Sequence, residues 1–196
     1  GSTYVQEIFD NNTGLHNTTV YSTDNGATWT TATNLPATAI WADNIMYANG
    51  KYVYVSGSSG TSSGNTAYSS DGITWTAGTT ITSNYWQSID YGNGKFMCIA
   101  FSTTPNLAYS TNGTSWTTTN LGFSPNYAKI RYGNGVWLVM NNYGVLNYWR
   151  STNDGASWSS TLTSPCYANT LYYANGLFII NDSSAGTTFV SPDGLT

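Results

Sequence analysis

Few residues in this chain have side chains that catalyse reactions or hold metal ions. One histidine (His16) and one glutamate (Glu7) occur among the 196 residues. We place His16 in a solvated loop, so we expect neither a Ser-His-Asp triad nor a multi-histidine metal site. The carboxylates lie at different repeat positions, with none of the pairing, about 5–10 Å apart, that glycoside hydrolysis needs. We therefore expect a protein that is not an enzyme and that has no cofactor and no metal site.

The charge composition argues against two classes of partner. Charged residues make up 7% of the chain, and the pI is near 4.4. Nucleic acid is not expected, because phosphate neutralisation needs clustered Lys and Arg. No apolar run approaches the roughly 18–20 residues of a membrane span, so we expect no membrane insertion. A composition rich in Ser, Thr, Asn and Gly is common on extracellular and virion surfaces, and we expect the protein to be located there.

A short motif occurs five times and shows that the chain is a repeat. The first copy is Ser22-x-Asp24-x-Gly26-x-Thr28-Trp29, and the first four tryptophans are 46, 41 and 42 residues apart. A short side-chain acceptor followed by glycine predicts a tight turn, which the Trp anchors. The residues assigned to these structural turns are Ser22, Asp24, Gly26, Trp29, Asp71, Gly72, Trp75, Asn112, Gly113, Trp116, Asn153, Gly155, Trp158, Asp193 and Gly194.

A second motif, Asn-Gly, occurs four times and predicts β-hairpins. Its glycines, Gly50, Gly94, Gly135 and Gly176, are 44, 41 and 41 residues apart. Asn-Gly supplies the two positive-φ residues of a type I′ turn. Alternating apolar residues precede each turn. A continuous apolar run follows it, as expected of a strand buried on both faces. Cys98 lies in one such run and is expected to be a buried hydrophobic residue rather than half of a disulfide.

Together the two motifs predict four antiparallel strands per repeat. Strand a ends at Asn-Gly, strand b is the apolar run, strand c ends at the Ser of the first motif, and strand d begins at its Trp. Four strands every 40–45 residues or so form one blade of a β-propeller. We predict an all-β propeller of about five four-stranded antiparallel blades, the first lacking strand a and the last lacking strand d. Residues 1–196 would be a single propeller domain or a segment of a larger propeller protein, and a β-sandwich is the alternative fold.

The first motif resembles the Asp box, or BNR repeat, of sialidase-like propellers. The wider repeat is similar to repeats of bacterial surface proteins and bacteriophage tail or fibre proteins. The resemblance implies that the box is a structural turn between strands c and d, not a set of acids or metal ligands. A sialidase-like site would need three arginines, a Tyr paired with Glu, and an acidic Asp. The chain has only Arg131 and Arg150, so sialidase chemistry is not expected of it.

The d–a and b–c loops share one face of a propeller, which we call the loop face. Their sequences differ among the repeats, and loops on a rigid scaffold are where binding usually occurs. We predict aromatic ligand contacts there, with neighbouring Asn, Gln and Ser binding sugar hydroxyls. The candidate ligand-binding residues are Trp41, Tyr85, Trp86, Phe123, Tyr127 and Tyr143. Packing is the alternative role for Trp41, Trp86 and Tyr127, which recur near the start of strand a. The tyrosines three residues before each Asn-Gly glycine are expected in the core: Tyr47, Tyr91, Tyr132 and Tyr173.

These observations favour a non-catalytic recognition module on an extracellular or virion surface. It would bind a glycan or a cell-surface receptor through the loop face. The alternative is a structural subunit of an extracellular filament, fibre or capsid decoration without a small ligand. The incomplete first and last blades predict contact with other polypeptide, either flanking chain or another subunit.

Overall fold

The computed structural model describes residues 2–10, 15–34, 44–56, 64–82, 84–101, 105–141, 146–164, 168–182 and 186–195. In these ranges the chain forms eighteen strands in five antiparallel sheets of three or four strands, with no helix. Neighbouring strands within each sheet are consecutive in sequence, so each sheet is a meander. The predicted all-β fold of about five blades is confirmed, and the first and last sheets have three strands among the described residues.

The strands follow the a–d order that the two motifs predict. Blade 1 contains strands b, c and d: β1 (Tyr4–Asp10), β2 (Leu15–Ser22) and β3 (Thr30–Thr31). The expected loop position of His16 is wrong, since His16 lies in β2 and pairs with Phe9 of β1. Blade 2 contains β4 (Ile45–Ala48), β5 (Lys51–Val55), β6 (Thr66–Ser69) and β7 (Thr76–Ala77). Blade 3 contains β8 (Trp86–Gly92), β9 (Lys95–Ala100), β10 (Leu107–Ser110) and β11 (Thr117–Thr119). Blade 4 contains β12 (Lys129–Gly133), β13 (Val136–Met140), β14 (Leu146–Ser151) and β15 (Ser159–Ser164). Blade 5 contains strands a, b and c: β16 (Ala168–Ala174), β17 (Leu177–Asp182) and β18 (Thr188–Ser191).

All four Asn-Gly hairpins have the backbone that their sequence requires. The asparagines have φ between 47° and 52°, and the glycines have φ between 73° and 80°. These are the left-handed values of a type I′ turn, which asparagine and glycine adopt at low cost. The predicted hairpin turns are confirmed, and they fix the register of strand a against strand b in blades 2 to 5.

Gly94→Val should therefore destabilise the protein through the backbone alone. Gly94 has φ of 76°, and an added Cβ would meet open space, so no clash contributes. A β-branched residue in the left-handed region should cost on the order of 1 kcal/mol or more of unfolding free energy. Gly94→Asn is the matched control, because asparagine tolerates this region. Thermal unfolding measures both variants, and an unchanged melting temperature for Gly94→Val would contradict the prediction.

Strand b forms the core of the central blades. All five residues of β13 and the last five of β9 are buried. Cys98 in β9 is 1% exposed, and burial raises the pKa of its thiol well above the usual range. The prediction that Cys98 is a buried hydrophobic residue is confirmed.

From blade 2 onward, each blade packs on the preceding one through the glycine of its c–d turn. A Cβ on Gly72 would lie 2.6 Å from Val5 in strand b of blade 1, and a Cβ on Gly113 would lie 2.6 Å from Val53 in strand b of blade 2. Gly155 approaches Met97 in the same way. The glycine therefore serves two purposes: it adopts positive φ, and it lets the turn lie directly on the preceding blade.

The strand-a tyrosines also bridge consecutive blades. Each packs on the aromatic residue opposite it in strand b, as Tyr132 does on Trp137 at a centroid distance of 4.9 Å. Its other face covers the preceding strand a: a Cβ on Gly92 would lie 1.9 Å from Cγ of Tyr132. Tyr91, Tyr132 and Tyr173 are half-buried in this arrangement.

Tyr47 is the exception, and its assignment to the core is wrong. Its side chain is 56% exposed. The physical reason is that no strand a of blade 1 lies beside the ring among the described residues, whereas an inner strand lies beside Tyr132 and Tyr173. Trp29 in the c–d turn of blade 1 is exposed for a related reason. An added Cβ on Gly26 would meet only Trp29 itself within 4 Å, whereas the later turns lie on a preceding blade.

Within the described ranges, no helix is long and apolar enough to cross a membrane.

Candidate functional site

The c–d turns are closed by a small hydrogen-bond network around one serine. In blade 2, Ser69 Oγ donates to Asp71 Oδ1 at 2.8 Å and accepts from the Gly72 amide at 2.9 Å. Asp71 Oδ1 also accepts from the Ile73 and Thr74 amides. Equivalent serine contacts occur in all five turns, through Ser22, Ser69, Ser110, Ser151 and Ser191. The carboxylates and amides of these turns thus bond to their own backbone, which is a structural role.

Sequence reasoning assigned only the first of these serines to the turns. The signal that could have identified the others is the recurrence of Ser two residues before the Asp or Asn in every copy of the motif. Four of the serines, Ser22, Ser69, Ser110 and Ser151, are buried. Each therefore satisfies a glycine amide that would otherwise lack an acceptor.

The carboxylates in two of these turns are held in the ionised form. Hydrogen bonds from the Thr28 side chain and amide hold the pKa of Asp24 at about 2, below its usual 3.8. Hydrogen bonds from the Thr74 and Ile73 amides lower the pKa of Asp71. Since the folded-state pKa is depressed, each group contributes stability above its unfolded pKa, and that contribution is lost as pH falls through the folded value.

Asp24→Asn combined with Asp71→Asn should therefore flatten the acid side of the stability profile. The wild-type melting temperature is expected to fall more steeply between pH 4 and 2 or so than that of the double variant. The variant should fold, because Asn112 and Asn153 hold the same position in blades 3 and 4. Burial raises the pKa of Asp90, so this group affects the pH dependence of stability in the opposite sense. The effect is the same in the wild type and in the double variant, so it does not alter their comparison. Parallel profiles for the two proteins would contradict the prediction.

On the loop face, three aromatic side chains form a connected cluster. Phe101 lies between Tyr85 and Tyr127, with ring centroids 6.0 Å and 5.3 Å apart, respectively. Tyr85 precedes β8, Phe101 follows β9 and Tyr127 precedes β12, so the cluster joins loops of blades 3 and 4. We call these three residues the aromatic cluster. The structure thus brings together two of the predicted ligand contacts, and it adds Phe101, which sequence reasoning did not identify.

Hydrogen bonds fix the loops that carry the aromatic cluster. Phe101 donates its amide to the Tyr85 carbonyl at 2.7 Å. Asn84, which is 2% exposed, accepts from the Tyr85 amide and donates to the Pro105 carbonyl. Gln87 Oε1 accepts from the Ala128 amide, next to Tyr127. The loops that carry the three rings are therefore held in one conformation, which reduces the conformational entropy lost when a ligand binds.

Tyr127 has an unusual backbone for its residue type. Its φ is 49°, and its side chain is 46% exposed. The other described non-glycine residues with positive φ are all asparagine or aspartate: Asn25, Asn34, Asn49, Asn93, Asn134, Asp154 and Asn175. Bulky residues in this region are strained, by about 1–3 kcal/mol, and such strain is found mainly at functional sites.

The remaining candidate residues are not part of this cluster. Trp86 is fully buried, and its indole nitrogen donates to the Thr82 carbonyl at 3.1 Å. No face of its ring is available to a ligand, so we correct its assignment to packing. Phe123 stacks on Trp149 at 4.1 Å with an interplanar angle of 4°, and it is half-buried against the core of blade 4. Trp41 and Tyr143 lie outside the described residues.

Apart from the aromatic cluster, a concave surface lies where the strand-a residues of blades 2 to 5 converge. This axial cavity has a volume of about 320 Å³. The side chains four residues before each Asn-Gly glycine all line it: Met46, Asp90, Arg131 and Tyr172. Asp90 is the only carboxylate among the described lining residues, and its Oδ2 accepts from the Tyr132 amide at 2.7 Å. Burial raises the pKa of Asp90 above the usual range, and nearby Arg131 partly opposes this shift. Glycoside hydrolysis needs a second carboxylate, which these lining residues do not include.

The described residues contain no group of three His, Cys, Asp or Glu side chains placed to hold a metal ion.

Solved structures with a similar fold were found, whereas no protein-family model and no curated protein matches the chain. YCF48, solved bound to a D1 peptide, is 15% identical with a TM-score of 0.61; the match covers 91% of this chain and 59% of that chain. YCF48 is a β-propeller. The fold is a β-propeller.

Two other similar structures have names that refer to carbohydrates. One is an exo-β-1,3-galactanase from Phanerochaete chrysosporium, solved with β-1,3-galactotriose; it is 16% identical, with a TM-score of 0.59, and the match covers 93% of this chain and 54% of that chain. The other is the Bacteroides ovatus xyloglucan PUL protein GH43B, at 12% identity and a TM-score of 0.55, covering 79% of this chain and 39% of that chain. At these identities the similarity shows the fold alone. The chain also spans less than two thirds of the length of each of these three proteins.

Proposed function

We propose that this propeller is a non-catalytic recognition module on an extracellular or virion surface. It binds a glycan or a cell-surface receptor through the aromatic cluster on its loop face. The proposal is supported by the left-handed backbone of exposed Tyr127, which is the observation that carries it. The polar, weakly charged composition and the propellers with carbohydrate-related names are consistent with it.

The chemistry of the aromatic cluster suits a sugar ring. Tyr127 and Tyr85 offer flat apolar faces that can pack on the C–H groups of a pyranose, and their hydroxyls can form hydrogen bonds. Phe101 contacts both rings, in a tilted arrangement with Tyr85 and an edge arrangement with Tyr127. Aromatic anchors of this kind supply most of the free energy of a recognition surface.

The substitution Tyr127→Asn should weaken ligand binding while leaving the stability of the fold almost unchanged. Asparagine tolerates positive φ, so the substitution relieves strain of about 1 kcal/mol or more. It also removes the ring contact with Phe101, worth about 0.5–1.5 kcal/mol. Because the two effects nearly cancel, we expect a melting temperature close to that of the wild type, together with at least about tenfold weaker ligand binding.

A glycan array on the full chain identifies the ligand, and titration of the best glycan measures the affinity. Phe189→Ala is the matched control, since Phe189 is also 46% exposed but lies in β18, away from the aromatic cluster. The proposal requires binding that survives Phe189→Ala and is lost in Tyr127→Asn. Full affinity in Tyr127→Asn, or no binding to any glycan or cell surface, would refute it.

The structural-subunit function remains a second candidate, because both terminal blades expose apolar side chains. Tyr4, Ile8 and Trp29 are 42–48% exposed in blade 1. Phe189, Val190 and Leu195 are 46–55% exposed in blade 5. Surfaces of this kind are typical of contacts between subunits. Concentration-dependent assembly in sedimentation experiments, without glycan binding, would favour this candidate.

A further inference from the structure

We propose that Asn49-Gly50 is a site of spontaneous deamidation, at which Asn49 is converted to aspartate and isoaspartate, whereas the same dipeptide at Asn134-Gly135 is protected by the hydrogen bonds of its side chain. The site is the a–b turn between β4 and β5. It lies away from the aromatic cluster and does not depend on the proposed glycan function.

Asn-Gly is the dipeptide at which deamidation is fastest, because glycine has no Cβ to shield its backbone nitrogen. That nitrogen, after losing its proton to hydroxide, forms a bond to Cγ of the asparagine. The Cγ–Nδ2 bond breaks and ammonia leaves, which closes a cyclic imide. Water then opens the imide at either carbonyl carbon, which gives aspartate or isoaspartate. Water and hydroxide are the only reactants that the step needs.

The attacking nitrogen is equally accessible in the three a–b turns that another blade follows among the described residues. The glycines of these turns, Gly50, Gly94 and Gly135, are exposed, and a Cβ added to any of them would meet open space. The strand ladder pairs Ala48 with Lys51 around the first turn, so Gly50 lies at the tip, outside the ladder. Differences in rate therefore arise from the asparagine side chains.

The side chain of Asn134 is fixed at both ends of its amide group by blade 5. Its Nδ2 donates to the Gly176 carbonyl at 2.9 Å and to the Pro192 carbonyl at 2.7 Å. Its Oδ1 accepts from the Tyr173 hydroxyl at 2.6 Å. Asn134 is exposed, so these three bonds, not burial, restrain its amide group.

The side chain of Asn49 has no such restraint. It is exposed, and among the described residues it has no hydrogen-bond partner. Asn93 is the intermediate case, because its Nδ2 donates to Asp154 Oδ2 at 2.6 Å in the c–d turn of blade 4. The c–d turn of blade 3 is one residue shorter and has no residue equivalent to Asp154, so this bond is not available to Asn49.

The hydrogen bonds determine how readily the reactive rotamer forms. Ring closure requires the side chain to rotate until Cγ faces the next backbone nitrogen. Asn134 must first break three bonds, whereas Asn49 breaks none among the described residues. Three bonds should lower the population of the reactive rotamer by at least about tenfold. Isoaspartate adds a carbon to the backbone of a two-residue turn, so the reaction at Asn49 disrupts the β4–β5 hairpin.

Incubation of the full chain at mildly alkaline pH, followed by peptide mapping with mass spectrometry, measures the rate at each asparagine. In the folded chain we expect Asn49 to react at least about tenfold faster than Asn134, with Asn93 between them. The same incubation in denaturant is the matched control for the intrinsic reactivity of each sequence. There the three rates should be nearly equal, because each dipeptide follows a small residue: Ala48, Gly92 or Gly133.

Tyr173→Phe tests the protection at Asn134 directly. The substitution removes the hydroxyl that donates to Asn134 Oδ1 and keeps the ring that packs on Phe178 at 5.0 Å. The reaction at Asn134 should become severalfold faster, while that at Asn49 stays the same. An unchanged rate at Asn134 in this variant would overturn the proposal. Equal rates at Asn49 and Asn134 in the folded wild type, or no product at Asn49 while the unfolded chain is converted, would also overturn it.

Discussion

Gly92→Val is expected to cost on the order of 3 kcal/mol of unfolding free energy, a large fraction of the stability of a typical domain. The cause is steric, because an added Cβ would lie 1.9 Å from Cγ of Tyr132 in the neighbouring blade. The ring cannot move away without losing its contact with Trp137, at 4.9 Å. At this chain length the melting temperature should fall by roughly 6–12 °C.

Two comparisons isolate the cause of this loss. Gly92→Ala carries the same Cβ and should also destabilise the protein, but less than valine because it adds no γ-methyl groups. Tyr132→Ala should make Gly92→Val much less harmful, so a double-mutant cycle should give a coupling of at least about 1 kcal/mol. Additive effects of the two substitutions would show that the blades do not interlock through this pair.

Trp137→Ala should destabilise the protein by about 3–5 kcal/mol through loss of a large buried side chain. Trp137 is fully buried in β13 and packs on Tyr132 of the opposite strand. Chemical denaturation at equilibrium measures the change directly.

Trp137→Phe is the matched control, because it keeps a large buried ring but removes the indole nitrogen. Phe96 and Phe178 occupy the same position in blades 3 and 5. In the described part of the chain the Trp137 indole nitrogen has no hydrogen-bond partner, so its removal sacrifices no such bond. The control should therefore lose much less than the alanine variant. Equal losses would mean that the indole nitrogen, not the buried ring, carries the stability.

The architecture could be predicted because each element is encoded locally and repeated. Asn-Gly specifies a left-handed hairpin turn whatever surrounds it, as Asn93-Gly94 shows. The apolar run around Cys98 specifies a buried strand in the same way. Four copies of the same pattern then leave few alternatives to radially packed sheets.

What failed to be predicted depends on which blade lies beside a residue. Tyr47 and Tyr132 have the same local pattern, but only Tyr132 is covered by a preceding inner strand. Trp86 was a candidate ligand contact, with packing as the alternative because it recurs near the start of strand a, and its ring is buried in a core shared by blades 2 and 3. Nothing in the residue type of Tyr127 signals its left-handed backbone, which is imposed by its loop. Phe101 was missed because it follows strand b, where the apolar run continues without a break.

Mapping the bound glycan on the protein tests the central claim most directly. Methyl and aromatic NMR signals of the full chain are recorded during titration with the best glycan from the array, and shifts are assigned to residues. Our account predicts that the largest shifts cluster at Tyr85, Phe101 and Tyr127, and that they disappear in Tyr127→Asn. Shifts centred instead on the axial cavity, at Met46, Arg131 and Tyr172, would contradict it.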